Sequence, residues 1–352
     1  MRPRHHRATV TALLAAGTLV LPLSAGAGAA TGNHHEDRPL AGMRILLSND
    51  DSMQMARPNA SDGKGLYEVR RALCSAGADV VVMAPWANQS GAGTSAAGSG
   101  TLTVRRRTVL PAEYGRDCAD APTGGAVYGV CKGAVACDAG SVSATPVDTV
   151  RLALNGGLAA KAGWTKGPDL VVTGSNYGPN VASVVNDSGT VGAALAAIEE
   201  GTPAVALNSS YDPTVTASFE VADRTYRQTA AFGAAFIASL RDRRLLTTDY
   251  VVNVNYPHLA EGRQPRGTVW SSVGTQKLIQ PGYAQADPNS DTFTVGGALC
   301  AAGNPKCRPE TKRDADYRLL QQGNVTVTPI TPDRTFEGRE AGRLERFVRT
   351  GR

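Results

Sequence analysis

"MRILLSNDD", residues 43–51, decides the fold. An apolar run, read here as a buried strand over 43–49, ends in Asn49-Asp50-Asp51. Two adjacent carboxylates repel each other, and burying them is costly unless something neutralises them. The obvious neutraliser is a cation, and the flanking sequence can be asked whether it supports one.

Outward from that strand, "SDGKGLYEVRRALCSAG" (61–77) reads as a helix. Ser61 or Asp62 caps it, Leu66, Val69 and Leu73 recur at helical spacing, and Gly77 ends it. "DVVVMAP" (79–85) is a second buried strand, and strand–helix–strand is the unit of a parallel sheet. "TLTVRRRTVL" (101–110) alternates like strand pieces, and residues 111–142, rich in Gly, Ala and Cys, read as an excursion. A helix over 145–158 starts at the cap Thr145 with Pro146 in its first turn. Buried strands follow at 169–174 and 204–209, separated by a helix over 188–201 capped by Ser188. A long helix near 219–241 and a strand at 250–257 close the core, 43–260. Short β segments, "GTVWSSVG", "DTFTVGG" and "NVTVTPIT", make residues 261–333 a β-rich extension with a hairpin arm. Residues 334–352 read as a charged tail forming a surface helix. The fold class is α/β, a mostly parallel sheet with helices on both faces.

The first thirty residues stand apart. Arg2, Arg4 and Arg7 precede the apolar run 11–25, and "AGAGAA" (25–30) offers small-residue cleavage sites near Ala27–Ala30. Residues 1–29 are expected to be a secretory signal peptide, 30–42 a flexible segment, and the mature protein secreted. Removing 1–29 takes away three arginines and no acid, so the formal net charge falls from +5 to +2. A near-neutral chain gives no electrostatic reason to bind nucleic acid or membrane. The six cysteines fit export. Cys300 and Cys307 bracket a turn and are expected to pair; two of Cys118, Cys131 and Cys137 pair; Cys74 is a buried thiol in a helix. No Cys-x-x-Cys pair supports zinc.

Ligands of parallel α/β sheets bind beyond the carboxyl ends of the strands. There the sequence places Asp50 and Asp51, then Ser90 in "WANQSGAGTS" (86–95), then Asn176 and Asn180 in "GSNYGPN" (174–180). This is an all-oxygen set suited to Mg²⁺ or Mn²⁺, with Ca²⁺ as a further option. Ser188-Gly189-Thr190 opens a helix, whose free N–H groups suit a phosphate. A cation beside an anion-binding helix start is the layout of a phosphate-ester hydrolase. His258 is the one histidine of the folded body and reads as a surface or loop residue; no Gly-x-Ser-x-Gly elbow, P-loop or Gly-x-Gly-x-x-Gly motif occurs. Each cluster also has a plain structural reading, as turn or cap; what lifts the set is its order along the chain.

The segments "MRILLSNDD", "VVVMAPWANQSGAGTS", "TPVDTVRLAL", "PDLVVTGSNYGPN", "SGTVGAALAAIEEGTPAVALNS" and "DYRLLQQGNVTVTPITPD", in that order, resemble the SurE-type survival-protein phosphatases, 5'-nucleotidases, over residues 43 to about 333. The resemblance implies a Rossmann-like domain and a metal-dependent phosphatase acting on nucleoside monophosphates, with the hairpin arm forming homodimers or homotetramers. Carried over by motif, Asp50, Asp51, Ser90 and Asn176 hold the metal, and Asp50 or Asp51 positions and deprotonates a water. Asn49 and Asn180 lie beside the substrate, and Ser188, Gly189 and Thr190 hold the phosphate. Tyr177 and Trp86 are candidates to stack on a base. Two departures stand out: Ser52 occupies the place of the family's usual Gly, and the loop before Gly65 is longer. The rival readings are an exported binding protein without turnover, and a phosphatase for short polyphosphate or other phosphomonoesters.

Overall fold

The computed structural model describes residues 38–55, 63–212, 220–300, 303–335 and 339–350. The leader 1–29, most of segment 30–42, and the caps Ser61 and Asp62 lie outside the described residues. Leu40, in the segment expected to be flexible, is buried and donates its N–H to Ala76 O at 2.8 Å.

The chain builds β1 (Arg44–Ser48), α1 (Lys64–Ser75), β2 (Asp79–Pro85), β3 (Leu102–Arg106) and β4 (Val127–Lys132). Next come α2 (Pro146–Leu152), α3 (Leu158–Ala162), β5 (Leu170–Tyr177), α4 (Gly189–Glu199), β6 (Ala204–Ser209), α5 (Asp223–Asp242) and β7 (Val251–Tyr256). The last elements are β8 (Thr268–Trp270), β9 (Ile279–Gln285), β10 (Phe293–Leu299), α6 (Asp316–Gln321), β11 (Val325–Ile330) and α7 (Arg339–Thr350). The main sheet has nine strands in the order β3-β4-β2-β1-β5-β6-β7-β11-β8. From β4 to β7 every pairing is parallel; β3 and β11 run antiparallel to their inner neighbours.

Strand alternation explains the two-sided core. Ile45 and Leu47 face one way with Val80 and Val82, packing under Leu66, Val69 and Leu73 of α1 and Ile237 of α5. Leu46 and Val81 face the other way, toward Val150 of α2 and Val191 and Leu195 of α4. Strands covered on both faces carry continuous apolar runs, as these do. The sheet and its two helical layers agree with the expected fold class.

Three differences from the sequence reading have physical causes. The stretch 111–142 is not wholly an excursion, because β4 enters the sheet between β3 and β2. Its apolar signal is broken by Gly129, where a Cβ would lie 2.4 Å from Met53 Cε and 2.6 Å from Trp86 Cε3, so the packing demands glycine. The helix expected over 145–158 ends at Leu152 and resumes at Leu158, because Asn155 and Gly156 leave the helical conformation, Gly156 at φ +131°. Within the extension, β8 and β11 join the main sheet, and only β9–β10 stand off as a hairpin. Thr145 and Ser188 cap as read, accepting from Asp148 N and Val191 N. The tail carries α7, with Leu344, Phe347 and Val348 exposed. Among the described residues no helix is long and apolar enough to cross a membrane.

Cys300–Cys307 pair as expected, and so do two of the three middle cysteines, Cys131–Cys137. Cys74 is not a free thiol: it is bonded to Cys118, closing a loop of sequence separation 44. The same loop is held by the buried Arg70, whose guanidinium donates to Gly125 O at 2.9 Å, Asp117 O at 3.0 Å and Tyr114 O at 3.3 Å. Chain-entropy reasoning for a loop of this length gives about 4 kcal/mol. Replacing both Cys74 and Cys118 by serine is expected to lower the unfolding free energy from urea titration by that order, with the midpoint falling accordingly; an unchanged midpoint would show that Arg70 alone suffices.

Candidate active site

The acid pair sits where β1 ends, between β2 on one side and β5 on the other, at a switch point of the parallel sheet. Asn49, Asp50 and Asp51 are all buried. The turn that places them closes with Ser52 N–H on Asn49 O at 3.2 Å, and Ser52 takes φ +77°. That left-handed conformation is what glycine supplies freely, so serine here carries a conformational cost of about 1 kcal/mol.

Asp50 lies on the start of α4. Its Oδ1 accepts from Thr190 Oγ1 at 2.6 Å, and the backbone amides of Gly189 and Thr190 at the helix start favour its charged form. A Cβ on Gly189 would stand 2.8 Å from Asp50 Cβ and 2.9 Å from Asp50 Oδ2, so only glycine lets the carboxylate so close. Burial pushes the Asp50 carboxyl above its ordinary range, and the hydrogen bonds from Thr190 and Gly189 pull partly back. Among the described residues no Lys or Arg forms an ion pair with it.

Asp51 faces the loops after β2 and β5. Its Oδ2 accepts from Tyr177 N at 2.7 Å and Asn49 Nδ2 at 3.1 Å, and Ser90 Oγ is 3.5 Å from Oδ1. Asn176 donates its amide to Gly178 O at 2.9 Å and Tyr177 O at 3.3 Å. Its Oδ1 is thereby turned toward the acids, 3.0 Å from Thr190 Oγ1. Asn49 Oδ1 lies 3.3 Å from the same hydroxyl. Thr190 has one hydroxyl hydrogen and three acceptor oxygens around it, those of Asp50, Asn49 and Asn176. Such a surplus of converging oxygens, with Asp51 and Ser90 beside it, fits a hard divalent cation. All six cysteines are in disulfides.

The other expected site residues divide. Ser188 Oγ caps α4, accepting from Val191 N at 3.0 Å, and its own hydrogen remains for a further acceptor. Asn180 is buried, and its Nδ2 donates to Asn208 Oδ1 at 2.6 Å. Its backbone is held as well: N–H to Asn255 Oδ1 at 2.8 Å, and C=O from Asn253 Nδ2 at 2.9 Å and Asn255 Nδ2 at 3.2 Å. Asn208, Asn253 and Asn255, from β6 and β7, form a buried amide rack under the Asn176–Asn180 loop. Sequence reasoning passed over these residues, although an Asn inside each apolar run of "AVALNS" and "VVNVNYP" was a visible signal. Trp86 is half-buried, with its indole N–H on Asp138 O and Arg105 over its ring at 5.6 Å, so it braces the Ser90 loop. Tyr177 meets Tyr211 edge to face at 5.6 Å. Tyr211 was not anticipated; burial, with the charges of Asp51 and Asp50 nearby, keeps its phenol protonated well above the usual range. His258 lies in the loop after β7, as read, but its side chain is mostly covered and meets Thr225 Oγ1 at 3.2 Å, Arg224 at 3.1 Å and Asp212 at 3.4 Å.

Fold and site together define an α/β protein with a mostly parallel sheet and a buried cluster of side-chain oxygens where an acid pair meets the start of a helix. The family model described as Survival protein SurE matches residues 45–280. The chain belongs to the SurE family. It is 32% identical over 296 residues to the 5'-nucleotidase SurE of Xanthomonas campestris pv. campestris (strain B100), covering 83% of this chain and 91% of that relative. It is 30% identical over 296 residues to the 5'/3'-nucleotidase SurE of Citrobacter koseri, covering 83% and 92%. The crystal structure of SurE protein from Aquifex aeolicus shares the fold with a TM-score of 0.57 at 22% identity, covering 87% of this chain and 99% of that one.

Proposed function

We propose that the protein is a divalent-cation-dependent phosphomonoesterase that hydrolyses nucleoside monophosphates. The observation that carries this reading is the convergence of Asp50, Asn49 and Asn176 oxygens on Thr190 Oγ1 at the start of α4. Relatives that match most of this chain are named 5'-nucleotidases and 5'/3'-nucleotidases, which supports the substrate class.

In this reading Asp50, Asp51, Ser90 and Asn176 would hold Mg²⁺ or Mn²⁺. The cation supplies Lewis acidity for the phosphoryl group and an acidified water. The N–H groups of Gly189 and Thr190, the Thr190 hydroxyl and Asn49 would face the phosphate. Ser188 caps the helix and keeps its hydroxyl hydrogen for the phosphate, and Asn180 fixes its loop beside the substrate. One carboxylate of the pair orients a water and takes its proton. Water oxygen bonds to phosphorus, the ester P–O bond breaks, and the proton passes to the leaving nucleoside oxygen. The products are the nucleoside and inorganic phosphate.

Export follows from the leader reading, with cleavage near Ala27–Ala30, and three disulfides support an oxidising destination. The β9–β10 arm, with Tyr283, Phe293 and Val295 exposed, suits assembly into a homodimer or homotetramer. The test is phosphate release by the mature protein from 5'- and 3'-nucleoside monophosphates, tripolyphosphate and p-nitrophenyl phosphate, each with Mg²⁺, Mn²⁺, Ca²⁺ or EDTA. Cation-dependent release, fastest from a nucleotide, is the expected result. Silence from a folded protein that still binds Mn²⁺ would overturn the enzyme reading, and preference for tripolyphosphate the substrate class.

A further inference from the structure

We propose that Asp316 is a positioning residue for the site: its carboxylate pins the turn at Ala182, and so the segment joining the Asn176–Asn180 loop to Thr190, to the root of the hairpin arm. This rests on the phosphatase reading above.

Asp316 is wholly buried at the start of α6. Its two oxygens accept from Ala182 N at 3.1 and 3.2 Å, and Oδ1 also accepts from Gly274 N at 3.0 Å and Tyr317 N at 2.8 Å. A first-turn helix contact would account for Tyr317 alone. The other two donors come from segments 134 and 42 residues away in sequence. Ala182 takes φ +46°, a left-handed conformation that costs an alanine about 1 kcal/mol and persists only where the surroundings impose it. The same alanine is buried among Val181, Leu278 and Leu320.

What the pin holds is the bridge between the two halves of the site. Asn180, two residues before, is clamped by the amide rack. The turn Ala182–Asn186 follows, and Asp187 O accepts from Gly93 N at 3.1 Å, touching the loop that carries Ser90. Ser188 then caps α4 and Thr190 reaches Asp50. On the other side, Ser183 N–H donates to Gln276 O at 3.2 Å and Leu278 N–H to Ser183 Oγ at 3.1 Å, immediately before β9. A small slip at Ala182 therefore shifts Asn176 relative to Thr190, and displacements of an ångström at reacting groups cost on the order of a hundredfold in rate.

The probe is Asp316→Asn. An amide can keep its oxygen at Oδ1, where three N–H groups converge, and then sets an N–H₂ against Ala182 N–H, a lesion confined to the pin. At saturating Mn²⁺ and with circular dichroism confirming the fold, kcat for the best nucleotide is expected to fall about 10- to 100-fold, with KM within about twofold. Mn²⁺ affinity, read by calorimetry without turnover, is expected to weaken about three- to tenfold. Glycine adopts the left-handed turn unaided, so Asp316→Asn combined with Ala182→Gly is expected to recover most of both losses relative to Ala182→Gly alone. A folded D316N with kcat and Mn²⁺ affinity within twofold of wild type would overturn the assignment, as would losses that Ala182→Gly fails to relieve. If D316N alone does not fold, the double variant decides: near-normal values uphold the pin, and failure to fold makes Asp316 a folding residue and overturns it. A wild type without phosphatase activity would instead overturn the phosphatase reading, leaving the Mn²⁺ comparison to judge Asp316.

Discussion

Asp51→Asn is expected to reduce phosphate release by three orders of magnitude or more while leaving the fold intact. The geometry explains both halves. Asp51 Oδ2 accepts from Tyr177 N at 2.7 Å and Asn49 Nδ2 at 3.1 Å, and an asparagine can keep an oxygen there. Its new N–H₂ then points toward Ser90 Oγ, which can accept one of the two hydrogens. What disappears is one of two negative charges in a cluster of otherwise neutral oxygens, and with it the main electrostatic hold on a divalent cation. Phosphate release and Mn²⁺ calorimetry on the folded variant check this. Activity within tenfold of wild type would remove Asp51 from the cation site.

Thr190→Val has the second largest expected effect, about a hundredfold or more in kcat with the protein folded. Valine matches the shape of threonine and replaces the hydroxyl by a methyl. That methyl would face Asp50 Oδ1, Asn176 Oδ1 and Asn49 Oδ1, three oxygens that now share one hydrogen. Without a cation those oxygens are left unsatisfied in a buried place, so the metal-free variant should melt lower than wild type. With Mn²⁺ the melting deficit should shrink, because the cation takes over the oxygens, yet the rate should stay low because the phosphate has lost a donor. Thr190→Ser, which restores the hydroxyl, should recover most of the rate. Equal melting with and without Mn²⁺ would contradict a shared role for the three oxygens.

The parts of this molecule that were legible in advance are those fixed by local chemistry. β2 and β6 fall on the expected bounds because a run of Val and Ala flanked by turn residues has few other uses in a parallel sheet. Thr145 and Ser188 were recognisable as caps because capping is decided within three residues. The gathering of Asp50, Asp51, Ser90, Asn176 and Thr190 followed from strand order alone. The parts not legible are set by contacts distant in sequence. Cys74 looked like a helix core residue, and nothing local to it announces Cys118. Gly129 hid β4, since its need for glycine comes from Met53 and Trp86. Asn180 Nδ2 donates to Asn208 Oδ1, a contact that was not legible because Asn208 lies on another strand. Asp316 sits in a polar stretch and gains its meaning only when Ala182 and Gly274 arrive beside it.

The disulfides have a consequence for how the chain matures. Cys74 joins Cys118, Cys131 joins Cys137 and Cys300 joins Cys307, so every cysteine is bonded to its immediate neighbour in the cysteine series. The three loops neither overlap nor nest. Of the many connectivities six cysteines allow, this is the one that order of arrival alone produces. Under the proposed export, a chain threaded amino-terminus first into an oxidising compartment would present its thiols two at a time, each with its correct mate next in line. An oxidant that joins the thiols in hand would write the native pattern, and no wrong bond would have to be erased.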